Sequence, residues 1–326
     1  MVKANGYGCG SLLVAKALES KVDYLGVAYP FNGYEIRSNG IKTPILVMAC
    51  SPEDLPKVAK ENLEPVLYSL SMVKAAVGLN KPIRVHLEVD AGMKRLGFLF
   101  EELTEIITLI NNSKVVVVSV FAHLVAPADP EHDEFTHQQA AYFNKSFNLL
   151  YSQLNHKPFK QLNPSGAVTR FSQYQFDMVR LGIGIYGYDP SHQLNNLLKP
   201  VATLQCTILQ IMEVKKGETV GYSRKGSLVE NGKIATLSIG YGDGYLRGFG
   251  NGNAEVLING KRAKTVGNIC MDLIMVDVTN IKCSVGENVE VFGTNITIEE
   301  LALNSHTIPY EILTNTSERV ERLLVK

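Results

Sequence analysis

Short apolar runs alternate with helix-like stretches along the first 190 residues. The runs fall at residues 1–4 (MVKA), 24–29 (YLGVAY), 44–49 (PILVMA), 64–69 (EPVLYS), 84–90 (RVHLEVD), 115–123 (VVVVSVFAH), 160–165 (KQLNPS) and 178–187 (MVRLGIGIYG). Amphipathic segments lie between most of them, among them FEELTEIITLINN (100–112) and DEFTHQQAAYFNKSFNLLYSQL (133–154). The link between the last two runs is shorter and reads only weakly as helix. Eight strands in alternation with helices predict an α/β fold, a parallel (β/α)8 TIM-like barrel over residues 1–190. A doubly wound sheet is the competing arrangement, but it rarely needs eight such units.

After Pro190 the texture changes. HQLNNLLKPVA reads as a linker, and then come TLQCTILQIMEV, GETVGYS, KIATLSIGYGDGY, AEVLING, KRAKTVGNICMDLIMVDVT and ENVEVFG. These runs are β-rich and broken by Gly, Asn and Asp-Gly turns, with a hairpin turn expected at Asn259-Gly260. ITIEELALNSHT reads as a helix near the end. Residues 191–326 are therefore expected to form a second, mostly antiparallel β domain.

Length and charge narrow the class. With 326 residues and 45% hydrophobics the chain can bury a sizeable core. Lys+Arg and Asp+Glu balance at 32 each, so there is no global basic field and nucleic acid is not an expected partner. Five cysteines (9, 50, 206, 270 and 283) lack CxxC spacing. That argues for reduced thiols in a cytoplasm, against a disulfide frame and against a metal site. No apolar run is long enough to span a bilayer, so no membrane partner is expected.

The chemistry-bearing residues collect at one kind of position. In a parallel barrel the reacting groups sit at the C-terminal tips of the strands. Lys3 ends the first run, Arg95 follows the fifth, His123 ends the sixth, Ser165 ends the seventh, and Arg180 lies on the eighth. An amine, two guanidiniums, an imidazole and a hydroxyl on one face are too polar for barrel packing and point to an anionic ligand. Backbone N–H groups near Gly182 and Ile183, with Ser165, occupy the place where such barrels bind phosphate. A lysine among low-polarity neighbours can be neutral near pH 7 and attack a carbonyl. Lysine plus phosphate pocket suggests a Schiff base with pyridoxal phosphate.

These residues match a known family. MVKANGYGCG resembles the pyridoxal phosphate signature of alanine racemases, and DAGMKRLGF, FAHLVAPAD, DMVRLGIGIYG, VGYSRKG, IGYGDGY and VGNICMD resemble that family's other landmarks in the same order. The stretch VDYLGVAYPFNGYEIRSNG and the TSERVER ending look closest to the racemase half of a fused ligase–racemase of some bacteria. The family's usual first strand and helix would then lie upstream of Met1.

The resemblance implies an isomerase that interconverts L- and D-alanine for peptidoglycan precursors by a two-base mechanism on a pyridoxal phosphate aldimine. Lys3 would hold the cofactor and act as one base. Tyr222 would be the opposite base, contributed across a homodimer interface with shared active sites. Arg180 would face the pyridine nitrogen, the alternative being a salt bridge to Asp177. Tyr7, Ser165, Gly182 and Ile183 would hold the phosphate. Arg95 would contact the cofactor's phenolic oxygen and lie near the substrate carboxylate, to which Met271 would present its N–H. Tyr241 would sit at the pocket mouth, and His123 would support Tyr222 or Arg180.

Three departures from the family pattern stand out. Glu88 lies where the family often has a lysine that is carbamylated, and it could position Arg95. Pro164 stands where asparagine is usual, with Asn163 one place earlier. Glu318 replaces a tyrosine that narrows the pocket, which leaves room for serine or another small amino acid. The competing readings are a related pyridoxal phosphate-dependent decarboxylase, which would place an acidic residue where Arg180 lies, and a non-catalytic cofactor-binding module.

Overall fold

A computed structural model describes residues 1–194 and 196–325. The expected linker HQLNNLLKPVA contains Asn195, which lies outside the described residues, as does Lys326. The chain divides into two compact units, one of residues 1–6 and 11–198, the other of residues 7–10 and 199–326.

The first unit is a parallel sheet in strand order β1 to β7. The strands are β1 (Leu25–Val27), β2 (Ile45–Val47), β3 (Glu64–Leu67), β4 (Ile83–Glu88), β5 (Val115–Phe121), β6 (Phe159–Pro164) and β7 (Met178–Arg180). Helix α1 (Ser11–Leu18) precedes β1, and α2 (Pro30–Ser38), α3 (Leu55–Lys60), α4 (Leu70–Gly78), α5 (Leu103–Asn111) and α6 (Asp133–Gln153) link the strands up to β6. The link from β6 to β7 holds only single 3₁₀ turns at Ser165–Ala167 and Ser172–Tyr174, in line with its weak helical pattern.

The expected strand at residues 1–4 is corrected. Only Met1 and Val2 run beside the sheet, and the chain turns away at Lys3. Val2 N donates to Gly26 O (2.8 Å) next to β1, and Met1 N donates to Leu181 O (2.8 Å) just past β7. These two residues join the first and last strands and close the TIM-like barrel as a stave too short to form a ladder.

Side-chain alternation separates two cores. Leu25, Val27, Ile45, Val47, Leu67, Val85, Leu87, Val120 and Leu162 face outward and pack with the helices. Leu46, Val66 and Phe121 form a second cluster inside the barrel. A register shift between β4 and β5, where Val85 pairs with Val117 but His86 with Ser119, adds one residue to β5. The bulge flips the parity of the Val115–Val118 run and turns Ser119 and Phe121 inward.

The second unit is a six-stranded sheet in the order β13-β12-β15-β8-β11-β14, with a short β9–β10 pair beside it. Its strands are β8 (Leu204–Val214), β9 (Thr219–Val220), β10 (Gly226–Ser227), β11 (Gly232–Leu237), β12 (Glu255–Ile258), β13 (Lys261–Lys264), β14 (Ile274–Asp277) and β15 (Asn288–Phe292), all paired antiparallel. Asn259 (φ 48°) and Gly260 (φ 76°) form the expected hairpin turn between β12 and β13, since both central residues need positive φ. Helices α7 (Ile298–Asn304) and α8 (Pro309–Thr314) follow.

The loop Tyr7–Gly10 belongs to this second unit. Arg322 grips it by donating from Nε and Nη2 to Gly8 O (3.1 and 2.9 Å), and from Nη1 to Ser317 O (2.8 Å). Gly8 has φ +80°, and a Cβ there would lie 2.1 Å from Leu313 O. Gly8→Ala should therefore destabilise the protein by more than about 1 kcal/mol, through both strain and clash. A urea-unfolding midpoint equal to that of the parent would contradict this placement of the loop.

Candidate active site

Lys3 opens a left-handed turn. Ala4 (φ 51°, ψ 56°), Asn5 (φ 51°, ψ 45°) and Gly6 (φ 59°, ψ 44°) all adopt the αL conformation. For L-residues this costs about 1–2 kcal/mol each, so the surroundings must over-determine it. Ser11 does so: its Oγ donates to Val2 O (2.8 Å) and its N donates to Asn5 Oδ1 (3.2 Å). Lys3 is thus aimed by a clamped and strained turn. Burial, and then the positive charge of Arg95, lower the pKa of its amine, which favours the neutral, nucleophilic form.

Arg180 is the most constrained group in the barrel. It is 7% exposed. Its Nη1 donates to Gln161 Oε1 (3.2 Å), and its Nη2 donates to Ala122 O (2.7 Å) and Leu162 O (3.2 Å). The guanidinium lies 4.6 Å over the Phe121 ring. No salt bridge joins it to Asp177, whose Oδ2 instead accepts from Lys160 N (2.7 Å). Nη2 is fully engaged and Nη1 makes one bond, so Nε is the one guanidinium nitrogen without a partner among the described residues. Burial lowers the pKa of Arg180 to about 10, against the opposing charge of Glu88, so it stays a cation at neutral pH.

Arg95 is exposed on the loop after β4 and forms no hydrogen bond among the described residues. The loop itself is stapled: Asp90 Oδ1 accepts from Gly92 N (2.9 Å) and Lys94 N (3.0 Å). A Cβ on Gly97 (φ +117°) would lie 2.5 Å from Asp90 N. Glu88, 3% exposed, makes no hydrogen bond to Arg95 and acts on it only through its charge. Burial raises its pKa, opposed by the charges of Arg180 and Arg95.

His123 does not hydrogen-bond to Arg180; the neighbouring Ala122 carbonyl takes that place. Its Nδ1 is buried without a partner among the described residues. Burial, and then the charges of Arg180, Arg95 and Lys3, depress its pKa to about 3, so the ring is neutral.

At the end of β6, Ser165 Oγ accepts from Gly182 N (2.8 Å) and Gly184 N (3.2 Å). The Ile183 N–H has no partner among the described residues, so this turn offers an anion one free main-chain donor, beside a Ser165 hydroxyl that its neighbours hold in place. A register shift between Gln161 and Pro164 explains the displaced asparagine. Pro164 pairs with Arg180, while the Asn163 side chain staples the following turn by donating from Nδ2 to Ala167 O (3.2 Å) and Phe171 O (2.8 Å).

In the second unit, Tyr222, Met271 and Tyr241 are 70%, 55% and 44% exposed. Hydrogen bonds tie their loops together: Asn268 Nδ2 donates to Tyr222 O (3.1 Å), Tyr241 N to Cys270 O (3.0 Å) and Gly242 N to Met271 O (2.8 Å). Gly221 (φ 73°), Ser223 (φ 59°) and Arg224 (φ 55°) surround Tyr222 with positive-φ backbone. The Met271 N–H has no partner among the described residues. Tyr7 lies 6.2 Å, ring to ring, from Tyr310. Glu318 is exposed and pairs with neither Arg319 nor Arg322. Arg319 binds Asp243 (2.7 Å) and Asp272 (2.8 Å), and Arg322 binds main-chain carbonyls.

Four residues of consequence escaped the sequence reading: Glu64, His86, Ser119 and Gln161, all buried inside the barrel. The available signal was their polarity at inward positions of otherwise apolar strands.

A parallel barrel that carries this lysine, arginine and anion-binding turn, with an antiparallel β unit after it, defines a pyridoxal phosphate-dependent enzyme class. The description "Alanine racemase, N-terminal domain" matches residues 1–190, and "Alanine racemase, C-terminal domain" matches residues 201–324. The alanine racemase of Clostridium novyi is 35% identical over 345 residues, covering 100% of this chain and 88% of that protein. That of Methanococcus maripaludis is 36% identical over 339 residues, covering 99% and 90%. Among solved structures, the alanine racemase of Clostridium difficile 630 superposes with a TM-score of 0.91 at 34% identity, over 98% of this chain and 86% of that one. A Bacillus anthracis alanine racemase with bound L-Ala-P gives 0.90 at 31%, with the same coverage. The chain belongs to the alanine racemase family. It is an isomerase that interconverts L- and D-alanine and depends on pyridoxal phosphate. The residues present fit that cofactor: a lysine amine of lowered pKa, an unpaired Arg180 Nε, and the free Ile183 N–H beside the Ser165 hydroxyl.

His123 generates a pH prediction. Its pKa is depressed on folding, so below the unfolded value of 6.5 the unfolded chain binds one more proton, down to about 3. Stability should fall with decreasing pH in that window, the His123 share approaching about 1.4 kcal/mol per pH unit. Urea titrations between pH 6.5 and 5, above most carboxylate titrations, should show a shallower slope for His123→Gln. Parallel slopes would mean that this ring is not held neutral.

Proposed function

We propose that racemisation runs between two bases, the Lys3 amine of one protomer and Tyr222 of the partner subunit. The observation that supports this reading is the Arg180 cradle, which leaves Nε without a partner among the described residues and offers a bound pyridine ring a cation, not a carboxylate. Pyridoxal phosphate, when bound, withdraws electrons from the substrate α-carbon and acidifies its proton. Arg180 Nε donates a hydrogen bond to the ring nitrogen but keeps its own proton, so that nitrogen stays unprotonated. That arrangement would limit delocalisation of negative charge into the ring and so favour return of a proton to the α-carbon over transamination.

Lys3 removes or returns the α-proton on one face, and the phenol of Tyr222 does so on the other. Ser165, Gly182, Ile183 and Tyr7 hold the phosphate. Arg95 contacts the phenolic oxygen and the substrate carboxylate, and Met271 offers that carboxylate its main-chain N–H. Tyr241 lines the pocket mouth, and neutral His123 offers its bare Nδ1 as support for Tyr222 of the partner subunit. The exposure of Tyr222, Met271 and Tyr241 on tied loops supports a homodimer with shared sites.

We also read residues 1–190 and 191–326 as the working domains, and the chain as closest to the racemase half of a ligase–racemase fusion. Its place is the cytoplasm, where it makes D-alanine for peptidoglycan; five free thiols support a reducing compartment.

Two experiments test the pair of bases. Borohydride reduction of the loaded enzyme should fix the cofactor on Lys3, and a label on any other lysine would overturn the assignment. Inactive Lys3→Ala and Tyr222→Phe proteins, unfolded and refolded together, should regain about a quarter of the parent activity, because half the dimers are mixed and each holds one intact site. No recovery in dimers shown to be mixed would rule out sites shared between subunits.

A further inference from the structure

A chain of buried polar side chains leads away from Arg180 through the inside of the barrel. Gln161, whose Oε1 accepts from Arg180 Nη1 (3.2 Å), lies 2.6 Å by its Nε2 from Ser119 Oγ. Ser119 Oγ lies 2.6 Å from His86 Nδ1, and His86 Nε2 lies 3.0 Å from Glu64 Oε2. Glu64 Oε1 accepts from Arg84 Nε (2.6 Å), and Glu64 Oε2 accepts from Tyr24 OH (3.0 Å). Ser119, His86 and Gln161 are fully buried, and Glu64 is 7% exposed. The rings of Tyr24 (5.5 Å) and Phe159 (6.3 Å) wall His86 in. At the far end Arg84, whose side chain is 56% exposed, reaches solvent, and Tyr24 is partly exposed beside it.

The two ends dictate the direction of every bond. Arg180 can only donate, and an ionised Glu64 can only accept. Gln161 must therefore present its oxygen to Arg180 and its N–H to Ser119. With a neutral ring, His86 must carry its single proton on Nε2 to donate to Glu64, and Ser119 must then donate to His86 Nδ1. Burial lowers the pKa of His86, which agrees with a neutral ring. Burial raises that of Glu64, but hydrogen bonds from His86 and Arg84 outweigh it and hold the carboxylate ionised. Bonds aligned head to tail polarise one another, and each interior member has a single satisfactory orientation. Among the described residues, the only other acceptors of the Arg180 Nη groups are the backbone carbonyls of Ala122 and Leu162. The Gln161 amide is the one rotatable acceptor, and a flip would set donor against donor.

Resting on the assignment of Arg180 to the ring nitrogen, we propose that His86, anchored by Glu64 and acting through Ser119 and Gln161, is a positioning residue that fixes how Arg180 meets the cofactor. It touches neither cofactor nor substrate. Its effect is to hold the Gln161 amide in one sense and so keep the guanidinium, and its free Nε, in one plane.

The first test needs no variant. In 15N-labelled holoenzyme at pH 7, His86 should show the neutral Nε2–H tautomer; an Nδ1–H tautomer or an imidazolium would overturn the proposal. The second breaks the chain. Ser119→Ala and His86→Leu should each weaken pyridoxal phosphate binding about tenfold and shift the visible absorption of the bound cofactor. Each should also lower kcat with little change in the KM for alanine. The double variant should be no worse than either single one, since both cut the same line. His86→Gln, whose amide can donate to Glu64 and accept from Ser119, should recover cofactor affinity to within about threefold of the parent.

Losses that add in the double variant would overturn the proposal. So would a Ser119→Ala protein that loses thermal stability while cofactor affinity and spectrum stay unchanged. Arg180→Lys is the control. If it alters the cofactor spectrum and Ser119→Ala does not, the positioning chain fails alone; if neither does, the Arg180 assignment fails.

Discussion

A guanidinium sealed inside a barrel is the constraint on which the rest depends. Taking one charge out of water costs several kcal/mol even after relaxation. A barrel interior is ordinarily filled by branched apolar side chains. Here Leu46, Val66 and Phe121 supply only part of that filling. The remainder is polar and directed at Arg180: two carbonyls, the Gln161 amide and, at a distance, the carboxylate of Glu64. The charge is met almost wholly by dipoles and not by a contacting anion. On the proposed assignment, an arginine so held would give the cofactor a hydrogen bond without giving a proton, and that would separate racemisation from reactions that need a long-lived carbanion.

The same unit invests strain at its other reactive position. Three successive αL residues after Lys3 are unfavourable in isolation, yet Ser11 secures both sides of the turn at the start of α1. Backbone held this way has few alternatives, so the amine is presented in one direction before any ligand arrives. In the second unit the logic is reversed. Tyr222, Tyr241 and Met271 sit on tied loops but keep their side chains largely in solvent, which is what the proposed shared site requires.

Much of this was legible in the sequence, and the failures share a cause. The apolar runs located all seven ladder strands, because parallel strands covered on their helix side read as continuous hydrophobic stretches. The Asn-Gly hairpin was legible because its turn type needs positive φ twice. Residues 1–4 misled: the local pattern reads as strand, but only Met1 and Val2 meet the sheet edges, and Lys3 already belongs to a left-handed turn. The polar line through Gln161, Ser119, His86 and Glu64 was invisible because it depends on register. Ser119 faces inward only because β5 carries a bulge, and no local propensity reports that. The hydrogen bond between His123 and Arg180, one of two options for that histidine, is absent for a related reason: sharing a barrel end does not fix which acceptor a given donor meets.

The most direct test of the account is the protonation state of the ring nitrogen in the loaded enzyme, read by 15N NMR on pyridoxal phosphate labelled at that atom. An arginine that keeps its proton predicts the chemical shift of an unprotonated, hydrogen-bonded pyridine nitrogen, changed in Arg180→Glu toward the protonated value. A protonated nitrogen in the parent enzyme would contradict the central claim.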